Sequence, residues 1–467
     1  MDILDLARLQ FALTTGVHWL FVLLTLGLVP IVATLHTRAV RARDPATRAA
    51  RERMTRFWGR LYVINYALGI ATGLVMEFQF GLNWSGLSKF AGNVFGAPLA
   101  LETLIAFFAE STFLGMWIFG WGRLRPWFHV ATIWLVTLTA YASAYWVLVA
   151  NGFMQAPTGH VVRDGTAYLT DFGALLTNPS TLVALAHVIS AALLTGGIFL
   201  AGISAHHLRR ARPEFRGTLR AGVVVAAVAS VAVYVAGGLQ YPLLAATQPM
   251  KLGLLSHGEG MARLQQAMAA AHGPGDYMPP QWAVWGQYAM LWLGYVLGVI
   301  ALFGIVIVFR DGLARRRAAA AALVLLLALP AGEFAGGILF GEAGPYRLVI
   351  SVTVALLLGA ALVYGSRLTR PLHRLLTVAI PLPFLASVGG WVVREVGRQP
   401  WVVYGELTTA EALSPGVGYG AMLASLLSFA LVLGALAVAD WTLIARHARR
   451  GPEPAHLGPP AEIRPTF

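Results

Sequence analysis

His18, Glu77, Glu102, Glu110, His187 and Glu395 stand inside or at the edge of long apolar runs, where titratable side chains are scarce. Placing such a group in hydrocarbon costs at least a few kcal/mol, so each is held there by packing or by chemistry. Neutral imidazole is a strong ligand for transition metals and haem iron, while a carboxylate binds iron more weakly or carries protons. A lone intramembrane histidine can equally be a hydrogen-bonded packing residue. Two histidines and three acids at one depth favour the ligand reading. His36 and His129 sit beside arginines at the ends of apolar runs, where snorkelling to water explains them.

The elements that must position these groups follow from hydropathy. Of 467 residues, 57% are hydrophobic and 12% charged, too little polar surface for a water-soluble domain of this size. Runs of roughly 20 apolar residues, enough to cross about 30 Å of hydrocarbon, recur along the chain. They fall at 15–36, 58–78, 99–121, 127–150, 181–205, 218–240, 284–309, 319–340, 347–366, 376–396 and 420–444. The expected fold is therefore an all-α, polytopic transmembrane bundle of about eleven helices forming one membrane domain over 1–467.

Most of the 34 basic residues fall in alternate loops, among them Arg38 to Arg60, Arg209 to Arg220 and Arg446 to Arg450. That bias places the N-terminus outside and the C-terminal tail, 445–467, in the cytoplasm of a bacterial inner membrane. It also gives the net charge of +13 a membrane origin and argues against nucleic acid as a partner. Asp2, Asp5 and Arg8 precede the first run in place of a basic leader, so that run reads as a retained helix. In this topology His18, Glu77, Glu102, His187 and Glu395 converge on the outer leaflet. Glu110, eight residues beyond Glu102, lies about 12 Å deeper and roughly on the same helical face.

Other chemistries are excluded. With no cysteine, the chain has no CxxCH haem attachment, no cysteine-held iron–sulfur cluster and no thiolate metal site. Its few intramembrane histidines fall short of a haem–copper oxidase core, and no HExxH pair supports zinc hydrolysis. The pieces GAPLA and GEAGP do not follow a strand, so phosphate-loop readings fail.

At the candidate residues the chain resembles subunit I of the cytochrome bd-type terminal oxidases, most closely over 1–210. The segments that carry the likeness are RLQFALTTGVHWLFVLLTLGL around His18, FWGRLYVINYALGIATGLVMEFQFGLNWS around Glu77, FGAPLALETLIAFFAESTF around Glu102 and Glu110, YWVLVANGFMQAP at 145–157 and GRQPWVVYGELTT at 397–409. The resemblance implies a low-spin haem b, a high-spin haem b and, at the oxygen site, haem d or a third haem b. It implies quinol and O2 as substrates, and as partners a subunit II and a small single-helix subunit within the lipid bilayer. His18 matches the ligand of the oxygen-reducing haem, Glu395 the carboxylate ligand of the second high-spin haem, and His187 a ligand of the low-spin haem. Glu102 matches an acid beside the oxygen-reducing haem, Glu110 and Ser143 positions of proton delivery, and Trp391 and Arg398 contacts of the haem pair.

Beyond residue 240 the chain departs from the family pattern. The stretch 241–283 forms a short external loop that keeps the quinol-loop lysine as Lys251, while Ser256 stands where the pattern has glutamate. An additional helix pair is expected at 284–340, before the last three helices at 341–444. In Tyr346-Arg347-Leu348-Val349 the pattern's arginine survives as Arg347, but valine replaces the methionine that ligates the low-spin haem. Met290, in QYAMLWLGY, is the alternative sulfur ligand. A bd-like oxidase with a non-quinol donor, or a proton-coupled transporter without haem, are the competing readings.

Overall fold

The computed structural model describes residues 2–256, 260–314 and 346–452. Helix α1 (Ile3–Val40) opens on a capping box in which the Asp2 carboxylate accepts from the Asp5 N–H and the Asp5 carboxylate from the Asp2 N–H. Asp44 caps α2 (Pro45–Leu82), whose first turn holds Pro45, a position that needs no N–H. Then α3 (Ser85–Leu101) passes through a π-helical stretch, Glu102–Phe107, into α4 (Phe108–Phe119). After α5 (Pro126–Gln155), strands β1 (His160–Arg163) and β2 (Thr166–Leu169) pair antiparallel. Asp164 and Gly165 at their tip both have positive φ, 49° and 69°, as a tight two-residue hairpin turn requires.

The chain continues through α6 (Phe172–Leu176), α7 (Pro179–Leu208) and α8 (Arg216–Gly238). The segment expected as a loop at 241–283 is largely helical, with α9 (Gln240–Thr247), α10 (Pro249–Leu255) and α11 (Met261–His272). There follow α12 (Val284–Ala314), α13 (Tyr346–Val378), α14 (Leu382–Val396), the short strands β3 (Trp401–Val403) and β4 (Leu407–Thr408), α15 (Thr409–Ala412) and α16 (Tyr419–Arg450).

Among the described residues, nine helical stretches are long and apolar enough to cross a membrane, and the fold is the expected all-α polytopic bundle. The run expected at 319–340 lies outside the described residues. The run expected at 376–396 is divided differently: α13 extends to Val378, and α14 starts at Leu382 and has 15 residues. At 1.5 Å per residue α14 covers about 22 Å, less than the hydrocarbon thickness. Pro381 precedes α14 and Pro383 stands in its first turn, where the missing N–H has no helical partner to lose.

Two compact units emerge, one formed by 1–193, 232–291 and 384–467, the other by 194–231 and 292–383. In the first, α1 packs on α2, α5 and α16. One of its apolar clusters joins Leu6 of α1, Phe90 and Phe95 of α3, Phe153 of α5, Val403 of β3 and Met422 of α16. In the second unit, Gly197 and Gly222 let α7 and α8 touch backbone to backbone: a Cβ at Gly222 would lie 2.6 Å from the Ala201 nitrogen.

Candidate functional site

The first unit holds every candidate except Arg347. His18 points its Nδ1 at the Thr72 hydroxyl, 2.9 Å away, and that hydroxyl donates to the Gly69 carbonyl at 2.7 Å. With its own proton committed, Thr72 can only accept from His18, which assigns the proton to Nδ1 and leaves the Nε2 lone pair as a donor to metal. His187 is held in the same sense, with Nδ1 donating to the Val233 carbonyl at 3.0 Å. Both rings lean on glycines: a Cβ at Gly73 would come within 3.0 Å of His18 Cε1, and one at Gly237 within 3.1 Å of His187 Cε1. Helices α2 and α8 thus leave space for imidazoles fixed as metal ligands usually are, through the nitrogen that does not bind.

Glu395, buried near the end of α14, sits in a basic and amide shell. Its Oε2 accepts from Arg398 Nη2 at 2.6 Å, one turn away, and its Oε1 from Asn151 Nδ2 at 2.9 Å and Gln155 Nε2 at 3.4 Å. Arg394 Nε in turn donates to Asn151 Oδ1 at 2.7 Å. Among the described residues, Arg394 Nη2 and Arg398 Nε and Nη1 are buried without a partner. Unpartnered guanidinium N–H groups in a buried site call for an anion.

Ser143 Oγ donates to Glu102 Oε1 at 2.7 Å, and Thr103 Oγ1 to Glu102 Oε2 at 3.2 Å, so two residues expected to serve proton delivery are in contact. Glu102 begins the π-helical stretch, an irregularity common at functional sites. The wider π turn also changes the angle between Glu102 and Glu110 from the α-helical value expected from their spacing. Glu110 is buried, and its Oε1 has no partner among the described residues. Glu77 is exposed.

Met290 lies against α14, where a Cβ at Gly390 would come within 2.7 Å of its sulfur. Half-buried Trp391 is the next residue. The backbone of Arg347 belongs to the first turn of α13, and its side chain lies outside the described residues.

Lys251 was expected at the surface of a quinol loop, and the fold places it in the interior, 3% exposed. Its ammonium donates to the Arg394 carbonyl at 2.7 Å and to Gln155 Oε1 at 3.2 Å. Burial, reinforced by Arg394, pushes that ammonium well below its usual pKa. His36 and His129 likewise do not snorkel: they are 1% and 4% exposed, with ring centroids 4.7 Å apart. Trp117 Nε1 donates to His36 Nδ1 at 3.2 Å, and Arg56 lies over the neighbouring Trp121 ring at 4.3 Å, so aromatic packing seals them from water.

Charge within apolar runs does not point to Thr72, Asn151 or Gln155, nor does it set Arg394 apart from the other arginines. Asn151 and Gln155 lie in the stretch YWVLVANGFMQAP, and Arg394 adjoins Glu395, but amides and hydroxyls carry no electrostatic signal in a sequence.

The fold and site define a class, a polytopic membrane protein that holds tautomer-fixed histidines and a buried, arginine-paired carboxylate. The family model for cytochrome bd terminal oxidase subunit I matches residues 6–271 and 254–452, and the chain belongs to that family. It is 36% identical to cytochrome bd ubiquinol oxidase subunit 1 of Bacillus subtilis (strain 168), over 97% of this chain and 95% of that one. Similarity to cytochrome bd-II ubiquinol oxidase subunit 1 of Escherichia coli (strain K12) is 34% over 97% of each. The bd oxidase structure from Geobacillus thermodenitrificans shares the fold with a TM-score of 0.73 at 23% identity, covering 96% of this chain and 99% of that one.

Membership in this family of respiratory terminal oxidases implies haem cofactors. The residues fit that group: two imidazoles each present a free Nε2, a carboxylate stands among arginines, and unpartnered guanidinium groups suit propionates.

Proposed function

We propose that this chain is the haem-bearing subunit of a bd-type oxidase that oxidises quinol at the outer membrane face and reduces O2 to water with cytoplasmic protons. The observation that carries the reading is the fixing of both His18 and His187 through Nδ1, which leaves two ligand nitrogens within the fold. The names of the relatives, both ubiquinol oxidase subunits, support quinol as donor.

Haem iron, when bound, supplies the redox chemistry: O2 takes up four electrons and four protons to give two waters, and two quinols supply the electrons. The chain's own residues hold, insulate and feed that chemistry. His18 would ligate the oxygen-reducing haem, of d or b type, Glu395 the high-spin haem b, and His187 the low-spin haem b, with Met290 as its second ligand. A carboxylate donates weakly and leaves iron high-spin. Arg398 would pair with Glu395 and, with Trp391, would contact the haem pair, and Arg347 would be a further cofactor-binding residue. Protons would pass from Glu110 to the Glu102–Ser143 pair, whose 2.7 Å hydrogen bond is short enough for direct transfer. Arginine-rich loops fix the orientation, with the N-terminus outside and the C-terminus inside the bacterial plasma membrane. A second membrane subunit and a small single-helix subunit would complete the complex.

The test is oxygen uptake by the purified complex. A short-chain quinol should support turnover. If an artificial one-electron donor supports it and quinol does not, the donor assignment fails while the oxygen chemistry stands.

A further inference from the structure

Gln155, at the last turn of α5, occupies a junction that nothing in the proposed oxidase chemistry assigns. Its side-chain oxygen accepts from Gln248 Nε2 at 2.8 Å and from Lys251 Nζ at 3.2 Å, and its backbone carbonyl accepts from Gln248 Nε2 at 2.7 Å. Its side-chain nitrogen donates to the Arg394 carbonyl at 3.2 Å and to Glu395 Oε1 at 3.4 Å. The amide can point only one way: flipped, its NH2 would face an ammonium and a second NH2, and its oxygen would face a carbonyl and a carboxylate. All three groups are buried, Gln155 and Gln248 at 1% and Lys251 at 3% exposure. The Lys251 stem reaches the junction across Gly397, where a Cβ would stand 3.0 Å from Lys251 Cε.

Buried polar groups bonded to one another on several sides transmit displacement, because moving one donor strands its partners. Lys251 grips the carbonyl of Arg394, the residue before Glu395, and the amide that bonds Glu395 itself.

We propose that Gln155 is a positioning residue which, with Gln248 and Lys251, ties the helical segment at 240–255 to the Glu395 carboxylate, so that the segment's conformation sets the geometry of that carboxylate. The proposal rests on the reading of Glu395 as a haem ligand. Lys251 then acts from inside the protein through Gln155, without contact to the donor.

Gln155→Leu and Lys251→Met, purified as the assembled complex, test it. Lys251→Met keeps the stem beside Gly397 and carries the same test if Gln155→Leu does not assemble. Both variants should keep the wild-type haem content and quinol KM, show an altered high-spin ferric signal in electron paramagnetic resonance, and lose about tenfold in kcat, as expected when support behind a metal ligand is removed. An unchanged high-spin signal at full haem content in a haem-replete preparation would overturn the relay alone. So would a raised KM at unchanged kcat in Lys251→Met, which would make the lysine a donor contact. A wild-type complex lacking any high-spin haem would overturn the reading of Glu395 and the relay with it.

Discussion

At the scale of single residues, polar partners decide what each ionisable group can do. Glu102 is bonded to Ser143 and Thr103, whereas Glu110 keeps one oxygen without a partner among the described residues. If both acids carry protons, Glu102→Gln should lower turnover about 100-fold or more, the usual scale for losing a positioned acid–base group. Ser143→Ala removes one hydrogen bond, of about 1 kcal/mol, and should cost only about fivefold. Oxygen-electrode rates on membranes check both, and a Glu102→Gln rate equal to wild type would make that residue structural. The sequence exposed these acids and histidines because charge in an apolar run stands out. It concealed Gln155, whose partners lie 93, 96 and 240 positions away and whose side chain is neutral.

At the scale of elements, glycines set how closely helices approach the candidate ligands. Gly73 on α2 faces His18 edge-on, and a side chain there would push the ring off its Thr72 partner. Gly73→Val should therefore destabilise the protein by about 1–3 kcal/mol, the common cost of overpacking. It should also weaken the ligand-binding haem signal, read by carbon monoxide difference spectra against haem content. An unchanged carbon monoxide spectrum would mean that the His18 ring is not confined there. Hydropathy made most of the long helices legible, since each must hide its backbone polar groups from lipid. It misjudged α13 and α14, because the apolar run continues across 379–381, where the helix breaks. It also gave no hint that the segment after α8 would fold into α9, α10 and α11, short helices partly held by tertiary partners such as Trp401 stacked on Tyr277.

At the scale of the molecule, the family match extends from residue 6 to residue 452, through the stretches that hold Lys251 and Arg347. The proposed ligand and proton groups are gathered in one unit, built from segments far apart in the chain. Under the orientation proposed from the arginine bias, a reporter fused after Phe467 should behave as cytoplasmic; an external reporter would refute the proposed topology. The account stands or falls on haem at His18. The most direct measurement is the reduced-minus-oxidised and carbon monoxide difference spectrum of the purified complex beside its His18→Ala variant. Wild type should show a Soret band and a carbon monoxide-sensitive high-spin component, and the variant should lose that component while keeping most low-spin absorption. A wild-type complex without a Soret band, or a variant with its carbon monoxide response intact, would contradict it.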